Sequence, residues 1–144
     1  MKLRKPFTYF VDRSLGRHEL VSRLRAAGLS IEAHDDHFAP DTPDEEWLTG
    51  AGKRNWIVLT KDKDVRRNIP ERAAIVDSNV ACFMLGRGDL SAERMAQAFL
   101  AAHRRIERAL RRFHLAMAAT VTVEGNVRML LAGGALLDVP KHLK

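Results

Sequence analysis

Three aspartates, Asp12, Asp44 and Asp62, each stand at the edge of a different expected structural element. Asp12 ends the apolar run 7–11, which reads as a first strand. Asp62 follows the run 56–60, an equally plain strand, within Thr60-Lys61-Asp62-Lys63-Asp64. Asp44 opens the triplet Asp44-Glu45-Glu46, which starts a helix between the two strands. The carboxyl ends of parallel strands open onto one crevice, so acids placed there can share a ligand. A hard divalent cation such as Mg²⁺ takes oxygen ligands, usually one or two carboxylates, waters and a substrate phosphate. Clustered carboxylates repel one another unless such a cation is present. The cation activates a water and offsets the charge that builds on a phosphodiester under attack. This chemistry makes Asp12 and Asp62 ligands for Mg²⁺ or Mn²⁺, with Asp44 completing the cluster and Glu45, Glu46 and Asp64 as auxiliary candidates. Arg13, Ser14, Lys61 and Lys63 lie beside the acids and are the candidate substrate contacts. With Arg66 and Arg67, the basic residues could hold a phosphate backbone. Competing structural roles exist: acids are favoured in any first helical turn, and Lys61, Lys63 and Arg66 could pair with Asp62 at the surface.

The elements that must position these groups alternate. After Asp12 comes the turn Arg13-Ser14-Leu15-Gly16, then a run at 17–27 in which Leu20, Val21, Leu24 and Ala27 recur at helical spacing, with Gly28 to end it. A strand at 29–33 completes a βαβ unit. The polar segment 34–43 reads as a loop. Thr42 as N-cap, Pro43 at the first helical position and Glu45 closing a capping box predict a helix to about Lys53. The charged stretch 61–71 predicts a short helical turn before Pro70, which residues 73–76 extend. A fourth strand follows at 80–85, then the turn Gly86-Arg87-Gly88-Asp89. Ser91 caps the longest helix, whose stripe is Met95, Phe99, Ala102, Ile106, Leu110 and Phe113, with Arg104, Arg105, Arg108, Arg111 and Arg112 crowding its second half. Segments 119–123 and 126–131 around Glu124-Gly125 predict an antiparallel hairpin. The last dozen residues give no signal. The pattern predicts an α/β fold with an open, mostly parallel sheet, followed by a long helix and a β-hairpin.

The chain of 144 residues is one domain of ordinary size. Its 46% hydrophobic and 29% charged content excludes a disordered chain, and its net charge of +6 favours polyanionic partners. The single cysteine, Cys82, lies in an apolar run and reads as a buried hydrophobe in a reducing compartment. No stretch approaches the roughly 18 apolar residues of a membrane span. These features predict a cytoplasmic protein with no membrane contact.

Segments 10–16, 44–48 and 58–63, in that order and spacing, resemble the PIN-like nucleases, and the runs 71–75 and 80–90 add to the likeness. The most similar group contains VapC-type toxins; the C-terminal nuclease domain of Mut7-like proteins is more distantly similar. The resemblance covers roughly residues 7 to 125. It implies a three-layer α/β/α PIN-like domain over 1–135, a C-terminal tail at 136–144, and cleavage of RNA with Mg²⁺ or Mn²⁺ held by three or four acids. Asp12 becomes the first acid and Asp62 the acid after the central strand. The middle acid falls on Asp44, Glu45 or Glu46, and Asp89 is the candidate fourth. The likeness to VapC-type toxins implies a toxin–antitoxin system, with a co-encoded antitoxin as protein partner beside the RNA substrate.

Other constellations point elsewhere. His34-Asp35-Asp36-His37 could ligate zinc, yet it lacks two further spaced ligands and reads better as a polar loop. A Ser14–histidine–aspartate arrangement lacks a glycine-flanked nucleophile turn. A second functional class is a catalytically silent PIN-like module that binds RNA or protein, motivated by the weak fourth acid. A flavodoxin-like phosphoryl receiver would want paired acids where Val11 precedes Asp12. The apolar C-terminal helix and hairpin leave intramonomer packing, a homodimer and antitoxin binding as alternatives.

Overall fold

The computed structural model describes residues 7–16, 18–87 and 89–144. The expected helix start at Arg17 and the turn residue Gly88 lie outside them. The elements run β1 (Thr8–Val11), α1 (Glu19–Ala26), β2 (Ser30–Ala33), α2 (Asp44–Lys53), β3 (Ile57–Lys61), α3 (Ile69–Ser78), β4 (Ala81–Leu85), α4 (Ala92–Arg112), β5 (Met117–Val121), β6 (Val127–Ala132) and β7 (Ala135–Leu143). Short 3₁₀ turns at Arg13–Leu15 and His34–Asp36 follow β1 and β2.

One sheet carries all seven strands in the order β2-β1-β3-β4-β5-β6-β7. The first five positions are joined by parallel pairings, and β5, β6 and β7 are antiparallel to one another in turn. Strand side chains alternate between faces, so Tyr9, Val11, Ile57 and Leu59 pack with α1 and α4 on one side. Phe10, Val58, Cys82 and Met84 pack with Trp47, Leu48 and Ile75 of α2 and α3 on the other. The result is the expected α/β/α layering around a mostly parallel sheet.

Local chemistry moved several boundaries. Pro43, not Thr42, sits at the N-cap of α2, and no side chain caps that helix. Pro70 begins α3 rather than stopping a helix. Its fixed φ suits the first turn, and Asn68 caps it by accepting from the Glu71 N–H. Ser91 caps α4 as expected, accepting from Arg94 N at 3.2 Å. The hairpin is displaced, and its first strand, β5, also pairs parallel with β4. Gly125 turns that hairpin at φ +86, where a Cβ would collide with Ala101 of α4. The last residues, silent in sequence, form β7 along the sheet edge, with Pro140 in a strand that has no outer partner among the described residues.

Candidate active site at the strand ends

Strand alternation and register build the site. Phe10 pairs with Val58 and Val11 with Leu59, so the next positions, Asp12 and Thr60, meet on the face covered by α2 and α3. The Asp12 N–H continues the ladder by donating to Leu59 O at 3.0 Å. Asp12 is 5% exposed, yet its Oδ2 accepts from Thr60 Oγ1 at 2.6 Å and from Ser14 Oγ at 2.7 Å. A buried carboxylate is costly unless it is hydrogen-bonded, and the hydroxyl of wholly buried Thr60 supplies one such bond. The 3₁₀ turn Arg13–Leu15 folds Ser14 back to supply the other. Ser14, expected to touch substrate, therefore uses its proton on Asp12.

The segment after β3 forms a tight turn. Asp62 N donates to Leu85 O at 3.0 Å, and Asp62 Oδ1 accepts from Asp64 N at 2.8 Å. Asp64 takes the left-handed conformation at φ +48, which aspartate tolerates better than most residues. Asp62 and Asp64 are exposed, whereas Lys63 between them is half-buried and turns back to Asp44 Oδ2 at 3.3 Å. Asp44 Oδ1 accepts from Trp47 Nε1 at 3.0 Å, which fixes the carboxylate over the first turn of α2. Burial opposes the Lys63 charge, but Asp12, Asp44 and Glu71 together outweigh it and hold its pKa above the ordinary lysine value. Lys63 is thus an ammonium among three carboxylates. Cys82, buried behind them on β4, is pushed up to about 12, chiefly by burial. Lys63 lowers it, while Asp12, Glu71 and Asp62 raise it further.

Other expected residues are placed differently. Arg13 Nε lies 2.8 Å from Asp35 Oδ1, close as charges but not aligned as a hydrogen bond. Lys61, Glu45 and Glu46 are exposed. Asp89 is chelated by Arg87 at 3.0 and 3.2 Å on the surface, and that pairing lowers its pKa. His34 is buried against Phe10, Phe38 and Trp47, and His37 bonds Glu32 at 2.6 Å and packs on Trp56, so that segment is an aromatic seam. Two members of the site escaped the sequence. Thr60 could have been found from period-two alternation beside Asp12, and Glu71 only from its position in the first turn of α3.

Among the described residues, no three His, Cys, Asp or Glu side chains stand close enough together to hold an ion. The donor set nevertheless suits a hard cation, since it is all oxygen. The Lys63 ammonium marks where the carboxylate field favours positive charge.

Residues 7–87, more than half of the chain, match the family model described as a PIN like domain. Over 106 residues, 71% of this chain and 77% of the relative, the sequence is 34% identical to "Putative ribonuclease VapC45" of Mycobacterium tuberculosis. No solved structure matches the chain.

Proposed function

The chain belongs to the PIN-like domain family, and from that premise we propose that it is a metal-dependent endoribonuclease acting as the toxin of a toxin–antitoxin pair. One observation carries the reading: a buried aspartate clamped by two hydroxyls at the end of β1, beside an ammonium that two further acids attract. The relative's name, a ribonuclease, supports the same substrate class. Asp12 and Asp62 would hold Mg²⁺ or Mn²⁺, with Asp44, Glu45 and Asp64 as further oxygen donors. When bound, the ion supplies an activated water and offsets charge on the phosphodiester.

The chain's own residues do the positioning. Thr60 and Ser14 hold Asp12 in one rotamer, so little reorganisation is left for the moment of reaction. Trp47 holds Asp44 through its indole N–H. Lys61, exposed at the end of β3, is available to a phosphate, and Arg13 becomes so by leaving Asp35. The protein partner is a co-encoded antitoxin.

Asp12→Asn keeps an acceptor for both hydroxyls while removing the charge. RNA cleavage with Mn²⁺ is expected to fall about 100-fold or more, with the circular dichroism spectrum unchanged and growth inhibition lost. Undiminished cleavage by a folded Asp12→Asn protein would end this reading. The Lys63–Asp44 pair favours a second one, a silent module whose ammonium replaces the ion permanently. Calorimetry with Mn²⁺ separates them, since a silent module shows no binding that depends on Asp12.

A further inference from the structure

A groove of about 570 Å³ opens between the second half of α4 and the end of β7, far along the sheet from the acids. Arg108, Arg111, Arg112, Lys141 and Lys144 line it, together with His142, and all six are exposed. No acidic side chain lines it. A helix C-terminus presents roughly half a negative charge, which favours one cation but leaves four of the five arginines and lysines largely uncompensated. Edge-strand protection explains Lys141 beside Pro140 and no more.

Sheet register links one edge of the groove, His142, to the active site, while Arg108, Arg111 and Arg112 lie across the sheet on the face that α4 covers. Thr60 pairs with Met84, Met84 with Thr120, Thr120 with Arg128, and Arg128 with His142. Residues in one transverse row point to the same face, so exposed Arg128 stands on the face of Asp12 and Thr60. Four strand spacings of about 4.8 Å put His142 roughly 19 Å from Thr60. That is about the rise of five or six stacked nucleotides at roughly 3.4 Å each.

We propose that this groove is a second RNA-binding site: a strand that leaves Asp12 passes Arg128 and His142, turns round the β7 edge, and has its backbone phosphates gripped several nucleotides from the scissile bond. The acidic end repels a polyanion until a metal binds, so the distal cations supply the attraction that the centre lacks. The proposal rests on the ribonuclease reading for its substrate but not for its test.

The test is equilibrium binding, by fluorescence anisotropy with EDTA present so that nothing is cut. The probes are a fluorescein-labelled uridine 12-mer and a uridine trinucleotide. The native protein is expected to bind the 12-mer at least tenfold more tightly. The triple substitution Arg108→Gln, Arg111→Gln, Lys141→Gln should bring the two within twofold and reduce the salt slope for the 12-mer by about two, at roughly 0.7 per lost phosphate contact. Equal affinity of the native protein for both lengths overturns the proposal, and that comparison needs no variant. So does a folded triple variant that binds the 12-mer as the native protein does. Binding of poly-glutamate but not RNA overturns it too, by assigning the groove to an acidic protein. Should the native protein bind the 12-mer as expected yet cleave no RNA with Mn²⁺, the ribonuclease reading fails and the groove stands.

Discussion

Asp12 and Asp62 follow neighbouring parallel strands, but their surroundings are opposite. Asp12 is buried and its Oδ2 is held by two hydroxyls from different elements, Ser14 and Thr60. Asp62 is exposed and its Oδ1 accepts only from the backbone two residues on. The first carboxylate is a fixture of the fold, whereas the second is held only by its own turn and can swing toward an arriving ion. The largest expected effect follows. Asp12→Ala takes the acceptor from buried Thr60 and half-buried Ser14, which keep each other at 3.2 Å and, for Ser14, the Lys61 N–H at 3.4 Å. The substitution also removes one of the charges that favour the Lys63 ammonium. It should cost about 2–3 kcal/mol of unfolding free energy, while Asp62→Ala should stay within about 0.5 kcal/mol. Urea denaturation of both variants measures this directly. Equal losses would abolish the distinction.

Lys63 sharpens the contrast, because in the absence of metal it brings a positive charge to the acids around the site. It is drawn by Asp12, Asp44 and Glu71 and pairs with Asp44 at 3.3 Å. A cation entering the site must displace that ammonium or share the field with it. Lys63→Met keeps the length of the stem and removes the charge. Mn²⁺ affinity by calorimetry should rise about tenfold, or roughly 1.4 kcal/mol, and the metal-free protein should lose stability. Unchanged affinity would mean that the ammonium and the ion occupy separate places.

The same contrast explains what could be read in advance. Asp12 and the strand before it were legible because a period-two apolar run ending in an acid leaves few alternatives. Thr60 is half legible: period-two alternation gives the face it shares with Val58, but that this face meets Asp12 depends on the register between β1 and β3. Lys63 looked like a surface phosphate ligand because adjacent charges suggest solvent. Only the left-handed Asp64 and the position of α2 turn it inward. β7 carried no signal because an edge strand packs on one neighbour and is mostly exposed along its length, so propensity and pattern are both weak. Pro70 misled because proline both ends and begins helices, and the deciding partner is Asn68.

Cys82 offers a smaller effect that measures both acids at once. Its thiol is pushed up to about 12 from an ordinary value of 9.0, first by burial and then by Asp12, Glu71 and Asp62 against Lys63. A thiol raised in the folded state leaves stability unaffected below the unfolded value and lowers it as pH climbs from there toward the folded value. Between pH 9 and 12 the native protein should therefore lose up to about 1.4 kcal/mol per pH unit more than Cys82→Ala does. Tyr9, also raised by burial and by Glu107, loses stability in the same range but is common to both proteins and cancels. Removing the Asp12 charge should shrink the Cys82 contribution more than removing that of Asp62. The reverse order would place Asp62 nearer the core than its exposure suggests.

The smallest expected effect concerns Asp89, the acid that would raise the count to four. It lies just beyond β4, the strand next to β3, where an acid could face the same crevice. Its carboxylate is instead chelated by Arg87, both groups are fully solvated, and the pair shifts both pKa values in the directions that strengthen it. Asp89 is absent from the charges that act on Lys63 and on Cys82, whereas Asp12 and Glu71 act on both. If a fourth oxygen donor is needed, Glu71 is the better candidate, since its charge, like those of Asp12 and Asp44, favours the Lys63 ammonium. Asp89→Asn should accordingly leave cleavage within twofold and the urea midpoint unmoved, while Glu71→Gln weakens Mn²⁺ binding measurably. Loss of cleavage in Asp89→Asn with intact Glu71→Gln would reverse that assignment, and would mean that the Arg87 pair opens when substrate and ion arrive.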